Sequence, residues 1–291
     1  MPRLPFVTLD VFTQTRYAGN PLAVVRVPAD TKDDVSGEQM QRIAREFNLS
    51  ETIFLHEDGE QEGEWRVRIF LTDREIPFAG HPTIGCAVYA LSTLSPTHSQ
   101  GRFIANAGPI DLQYANGTAS ASIPHNFHLH TQHARNCEEV LNIQPALKTT
   151  LTSPVPIDLI SPVKGMNFLA INLPTLDSLA RVTTSATGPT STPDDEWQAA
   201  FTGTYFYVHL PSDPDTDTIR LQARMIAGPL EDPATGKYSH DDSLRKITQG
   251  LEIGRRSDIG VTVALNATRD AIERVVLRGE AVKVMEGIVE C

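Results

Sequence analysis

Cysteine is scarce in this chain of 291 residues. There are three, Cys86, Cys137 and Cys291, an odd number with no paired spacing. That argues against a disulfide framework or a cysteine metal site, and the expectation is an intracellular, cytoplasmic protein with reduced thiols. No apolar run approaches the length needed to cross a bilayer, and the opening MPRLPFVTLD reads as a strand rather than a signal peptide. Positive charge is outnumbered, with 25 Lys and Arg against 36 Asp and Glu and a formal net charge of −11. An acidic surface attracts neither nucleic acid nor anionic membrane, so neither is expected as a partner. What is present is ordinary soluble composition, 40% hydrophobic and 21% charged, in a length that suits two lobes.

The stretch Val67–Leu91, VRIFLTDREIPFAGHPTIGCAVYAL, carries the most information. Val67, Ile69 and Leu71 alternate with Arg68 and Phe70, the period of a strand. Gly80 breaks the pattern, His81 is placed at a helix N-cap, and Pro82 follows at the first helical position, where its missing N–H costs nothing. Thr83–Leu91 is small and apolar on every side, which predicts a helix buried all round. A titratable ring therefore stands at the positive end of a buried helix, beside free backbone donors, which is an anion site with an acid/base group attached. The plainer reading is that His81 only caps the helix.

Asn48–Leu55, NLSETIFL, offers a carboxylate in similar company: Glu51 stands between Ser50 and Thr52 at the entry to an apolar strand. A carboxyl shielded there has its pKa raised towards neutrality, as a general acid/base requires; otherwise it is a glutamate of a surface loop. Ser36-Gly37-Glu38-Gln39 is a capping box, and Met40, Ile43, Ala44 and Phe47 follow at helical spacing. Strands are expected at Leu4–Phe12 and Leu22–Val27, near Arg102–Asn106, Ile110–Tyr114 and Thr118–Ile123, then at Asn167–Leu173, Gly203–His209, Thr218–Ala227, Gly260–Asn266, Ile272–Leu277 and Ala281–Met285. Thr183–Asp195 has the composition of a mobile surface loop. Pro124 and HNFHLHTQH (His125–His133) mark a hinge. The spacing of His125, His128, His130 and His133 admits a metal, but no carboxylate or cysteine sits among them, and a solvated polar stretch is the simpler reading. No metal is expected.

Together with DVFTQTRYAGNPLAVV (Asp10–Val25), these segments resemble the phenazine-biosynthesis PhzF-like isomerases, relatives of diaminopimelate epimerase and proline racemase. MQRIAREFNLSET (Met40–Thr52), RIF…EIPFAGHPTIG (Arg68–Gly85), EDPATG (Glu231–Gly236) and QGLEIGRRSDI (Gln249–Ile259) extend the likeness, in order, over nearly the whole chain. The resemblance implies an α/β (α+β) fold of two pseudo-symmetric lobes, each a curved, mostly antiparallel sheet around a central helix. Their boundaries would fall at 1–124 with strand 280–291 returning, a hinge at 125–133, and 134–279. It implies a homodimer and a site in the cleft between two helix N-termini. Glu51 then matches the proton-transferring glutamate, with Ser50 beside it as a substrate contact, while His81 and Asp232 match the histidine of AGHPT and the aspartate of DPATG. Gly80 and Gly236 match the glycines whose N–H groups hold a substrate carboxylate. The implied reaction moves a proton between carbons of a small carboxylic acid without a cofactor. A two-thiol racemase mechanism is excluded, because Cys86 lies well inside its helix.

Two departures stand out. Where the family reads RIFTP, this chain has Arg68-Ile69-Phe70-Leu71-Thr72-Asp73, a local change. After Gly236 a buried apolar helix is expected, yet Lys237–Lys246 is short and polar. The central helix of the second lobe is thus shortened or missing, and Tyr205–Val208 and Leu221–Ile226 would line an unfilled cavity. Residues 233–248 should be the least regular part of the fold. A gene-model artefact, a compensated variant, or a catalytically silent member acting as a binding protein would each account for it.

Overall fold

The protein is described from a computed structural model covering residues 2–59, 61–131, 137–151, 155–197, 201–212, 218–235 and 243–291. The chain forms two compact units, residues 1–124 with 276–291, and residues 125–275. Both are mixed sheets with few helices. Among the described residues no helix is long and apolar enough to cross a membrane.

The first unit opens with β1 (Arg3–Val11), β2 (Asn20–Val27), α1 (Gly37–Phe47), β3 (Thr52–His56), β4 (Glu64–Phe70) and β5 (Glu75–Ile76). It continues with α2 (Gly80–Tyr89), β6 (Gln100–Ala105), β7 (Gly108–Ala115) and β8 (Thr118–Ile123). The turn after β1 comes earlier than expected: Phe12 is already left-handed (φ 63°) and Asn20 and Pro21 belong to β2. β1 and β2 pair antiparallel, β2 and β3 parallel, β3 and β4 antiparallel, and β4 and β6 parallel. α1 starts on the expected capping box, with Ser36 Oγ accepting from Gln39 N–H and Gln39 Oε1 accepting from Ser36 N–H. Its face Met40, Ile43 and Ala44 packs on Leu4, Val25, Phe54 and Phe70.

α2 lies against β1, β2, β3, β7 and β8, and nine consecutive residues from His81 to Tyr89 are buried. Gly85 makes this possible: a Cβ there would meet Leu22 Cδ2 and Val11 Cγ2, each at 2.6 Å.

The second unit holds β9 (His128–Leu129), α3 (Cys137–Ile143), β10 (Ile157–Val163), β11 (Met166–Asn172), α4 (Leu176–Ala180), β12 (Phe201–Leu210), β13 (Thr218–Ala227), β14 (Leu230–Asp232), β15 (Ser243–Gln249) and β16 (Ser257–Leu265). β17 (Ile272–Gly279) leads out of it, and β18 (Ala281–Glu290) pairs antiparallel with β1 in the first unit. The pairing pattern of the first unit recurs: β10–β11 antiparallel, β11–β12 parallel, β12–β13 antiparallel, β13–β15 parallel. One face carries Ile157, Leu169, Ile171, Phe206, Val208 and Ile226 in a core shared with Val140 of α3 and Leu179 of α4. Arg224 crosses that core, binding Glu231 through two hydrogen bonds of 2.8 and 2.6 Å and donating to the carbonyls of Leu179 and Val182, so it caps the end of α4.

Two expectations for this unit are corrected. Tyr205–Val208 and Leu221–Ile226 do not face an open cavity. Tyr205, Phe206, Val208, Leu221, Met225 and Ile226 are all buried, three of them in the core just described. Residues 243–246 are not an irregular polar run but the start of β15, paired with β13 and β16, and Arg245 is buried there. Alternation explains the error, since an edge-to-edge strand that buries one face reads as half polar. The remainder of the departing segment, 236–242, lies outside the described residues.

Replacing Gly85 by Ala tests the packing of α2. Alanine favours a helix interior by about 1 kcal/mol over glycine, but overpacking a filled core costs about 1–3 kcal/mol. Gly85→Ala is expected to lower the denaturation midpoint at unchanged m-value. A raised midpoint would mean that Leu22 and Val11 yield.

Candidate active site

The chain reaches Glu51 through the end of α1. Asn48 closes that helix in the left-handed conformation (φ 51°), its N–H bonded to Ala44 O, and Leu49 and Ser50 turn the chain into β3. All five residues of β3 are buried, and Thr52 pairs with both Ala23 and Phe70. Glu51 is thus fixed at the mouth of a buried strand.

His81 arrives on α2, but not as its cap. The extended residue before the helix is Ala79 (φ −150°, ψ 144°), and Gly80 is the first helical residue. His81 and Pro82 are therefore second and third. Proline is tolerated there for the reason that it is tolerated at the first position, since the first N–H groups of a helix have no partner within it. Thr83 closes the turn by donating its hydroxyl to Ala79 O at 2.8 Å. Ala79 supplies no side-chain cap. Gly80 permits a close approach, since a Cβ there would lie 2.9 Å from Leu277 Cδ2.

The structure brings Glu51 and His81 together. His81 Nδ1 lies 3.5 Å from Glu51 Oε2, with the side chains 4% and 17% exposed. That is an ion-pair distance rather than a short hydrogen bond. Glu51 Oε2 is shielded from solvent and has no hydrogen-bond partner among the described residues. Burial raises the carboxyl from its usual 4.5 to about 7, and a hydrogen bond from Ser50 pulls it partly back. Such a carboxyl is divided between its two forms at neutral pH and can both take and return a proton. Cys86, further along the same helix, is buried and its thiol is pushed up by desolvation, so it is no nucleophile.

Asp232 belongs to the second unit, at the end of β14. Its carboxylate is held by its own turn: Oδ1 accepts from Ala234 N–H at 3.2 Å and Oδ2 from the Thr235 hydroxyl at 2.5 Å. Gln249 braces the turn from β15. Its Nε2 donates to Asp232 O at 2.7 Å and its Oε1 accepts from Thr235 N–H at 3.2 Å. Thr235 and Gln249 lie in the motifs DPATG and QGLEIG, but spacing alone does not reveal that they support the aspartate. Gly236 falls outside the described residues.

A carboxyl tuned to neutrality thus stands against an imidazole at the start of a buried helix. The chain belongs to the phenazine biosynthesis-like family, whose model matches residues 9–287. It is 32% identical to an uncharacterized isomerase of Mesorhizobium japonicum, over 97% of each chain. A trans-2,3-dihydro-3-hydroxyanthranilate isomerase of Pseudomonas aeruginosa matches at 47% identity over 28% of each chain. In fold, the chain resembles a phenazine biosynthesis protein of Bacillus anthracis, with a TM-score of 0.71 at 20% identity and full coverage of both chains. The protein is an isomerase of this family.

The state of Glu51 can be read from stability. Its folded carboxyl takes up a proton near pH 7 and its unfolded one near 4.5. Between those values the folded state holds more protons, so the wild-type protein loses stability as pH rises through the window, by about 1.4 kcal/mol per pH unit at most. Glu51→Gln removes the titration. It is expected to melt above wild type at pH 8 and to lose that advantage towards pH 4.5. An advantage that does not change with pH would remove the raised pKa.

Proposed function

We propose that the protein is a cofactor-independent isomerase that shifts a proton between carbons of a small carboxylic acid. Glu51 removes the proton as a base and returns it to another carbon as the conjugate acid. The observation that carries this reading is the buried Glu51 Oε2, 3.5 Å from His81 Nδ1 and poised near pH 7. His81 orients and polarises the substrate. The first-turn N–H groups at Gly80 take its carboxylate, where the helix end favours an anion. Loss of a proton next to a conjugated acid spreads charge into the acid, and donors aimed at that charge lower the barrier without a metal or an organic cofactor.

Asp232, Ser50 and Gly236 complete the reading from the motif match. Asp232 holds a polar substituent of the substrate, Ser50 contacts the substrate beside Glu51, and Gly236 supplies a second carboxylate donor. The relative from Pseudomonas aeruginosa, by its name, isomerises trans-2,3-dihydro-3-hydroxyanthranilate. That compound heads the panel of small acids worth trying.

The test is deuterium wash-in from heavy water into such a panel, read by mass spectrometry, for wild type and Glu51→Gln. With at least one acid, wild type should place deuterium at carbon, and the variant should be about a hundredfold slower or worse. Below pH 7 kcat/KM should fall tenfold per unit as Glu51 becomes protonated in the free enzyme. Exchange at equal rates in both proteins would end the assignment of Glu51 as the base.

A further inference from the structure

The histidine-rich segment after Pro124 lacks a carboxylate in sequence, but folding supplies one from far along the chain. His128 Nε2 lies 2.9 Å from Asp194 Oδ2, and His130 Nδ1 lies 3.9 Å from Asp194 Oδ1. One ligating atom from each of His128, His130 and Asp194 falls within 4.8 Å of the others. All three belong to the second unit. We propose that they form a divalent-metal site of the zinc class, with the fourth position open to water.

The surrounding bonds set up both imidazole and carboxylate. Ser161 donates its hydroxyl hydrogen to Asn167 Oδ1 at 2.5 Å, so its oxygen is the acceptor for His130 Nε2, 2.8 Å away. The His130 proton is therefore on Nε2, and Nδ1 carries a lone pair on the side facing Asp194. That lone pair now accepts from Asp194 N–H at 3.0 Å. A metal-binding histidine has this arrangement, in which the remote nitrogen donates to a fixed acceptor and the near one is bare. Here the acceptor, Ser161, is fully buried, as is Asn167. The Asp194 carboxylate is oriented in turn by Thr131 N–H, at 3.0 and 3.1 Å from its two oxygens. His128 is held flat against Trp197, with ring centroids 4.5 Å apart and planes inclined by 8°.

Tetrahedral zinc with ligands at roughly 2.0–2.1 Å sets them about 3.3 Å from one another, whereas one ligating atom from each of the three residues here lies within 4.8 Å of the others. The three side chains must draw together to take the ion. His128 then presents Nε2 bare, with its proton on Nδ1, and the ion replaces Asp194 N–H at His130 Nδ1. Two imidazoles with one carboxylate favour zinc, cobalt or nickel over magnesium or calcium, which prefer oxygen ligands throughout. A bound ion would fasten His128 and His130 to the loop carrying Asp194. It uses neither the Glu51–His81 pair nor Asp232, so its test stands apart from the isomerase reading.

The experiment is calorimetric titration of Zn2+ into the chelator-stripped full chain, paired with thermal unfolding with and without Zn2+ and with the visible spectrum of the Co2+ form. One saturable ion per chain, a raised Tm and an intense tetrahedral cobalt band are expected. His128→Gln and Asp194→Asn should each weaken binding at least tenfold, and Ser161→Ala, one bond removed, about tenfold. His125→Gln should leave it unchanged. Should a variant fold poorly without metal, the wild-type cobalt spectrum decides the matter. No saturable binding by wild type, an octahedral spectrum, or affinity that survives both ligand substitutions would each overturn the site.

Discussion

Everything at the candidate site depends on one helix having no exposed side. α2 is enclosed by strands from both ends of the chain, and it is narrow enough to be enclosed because Gly85 lets Leu22 and Val11 touch its backbone. A helix so confined cannot rotate or slide without emptying contacts on every side, and each emptied contact costs energy in a close-packed interior. Its first turn is therefore held in place, and with it the His81 ring and the backbone of Gly80. The burial that fixes the helix also strips water from Glu51, so position and acidity have one cause.

The two units share a strand-pairing plan, but they use the link between the corresponding strands differently. In the first unit residues 77–99 run from β5 to β6 and contain α2; in the second, residues 233–242 run from β14 to β15. The second link is less than half as long as the first. The second unit nevertheless buries Tyr205, Leu221 and Met225 on the sheet face opposite the α3–α4 core, and sets the polar side chains Arg245 and Gln249 there. Gln249 braces the Asp232 turn and so gives the aspartate a defined place.

Legibility in the sequence followed locality. The capping box of α1, the buried helix after Gly80 and the bounds of β13 are written in neighbouring residues and stand in the structure, whereas the alternation expected through Leu71 stops short, because β4 ends at Phe70, which is buried. Glu51 and His81 could be singled out because each lies beside a sharp change of period. What escaped notice was non-local or interrupted by proline. β10 runs through Pro162 in IDLISPV, α3 and α4 are too short to show a helical period, and the bond between Asp194 and the histidines spans more than sixty positions. The segment Thr183–Asp195 does lack regular structure, but it is tied down, with Gln144 pairing both backbone groups of Thr183 and Ser185 N–H reaching Gly228 O.

The pairing of β1 with β18 has a consequence for how the protein comes into being. Val7 lies opposite Glu286, and Met285 N–H reaches the Thr8 hydroxyl across 277 positions of sequence. On the ribosome β1 emerges well before its outer partner, with the whole second unit made in between. Until then one edge of β1 has its backbone groups unpaired, an invitation to other strands. The second unit, continuous in sequence, can close before the first is finished. The site residues Glu51 and His81 lie in the unit that takes up this late strand.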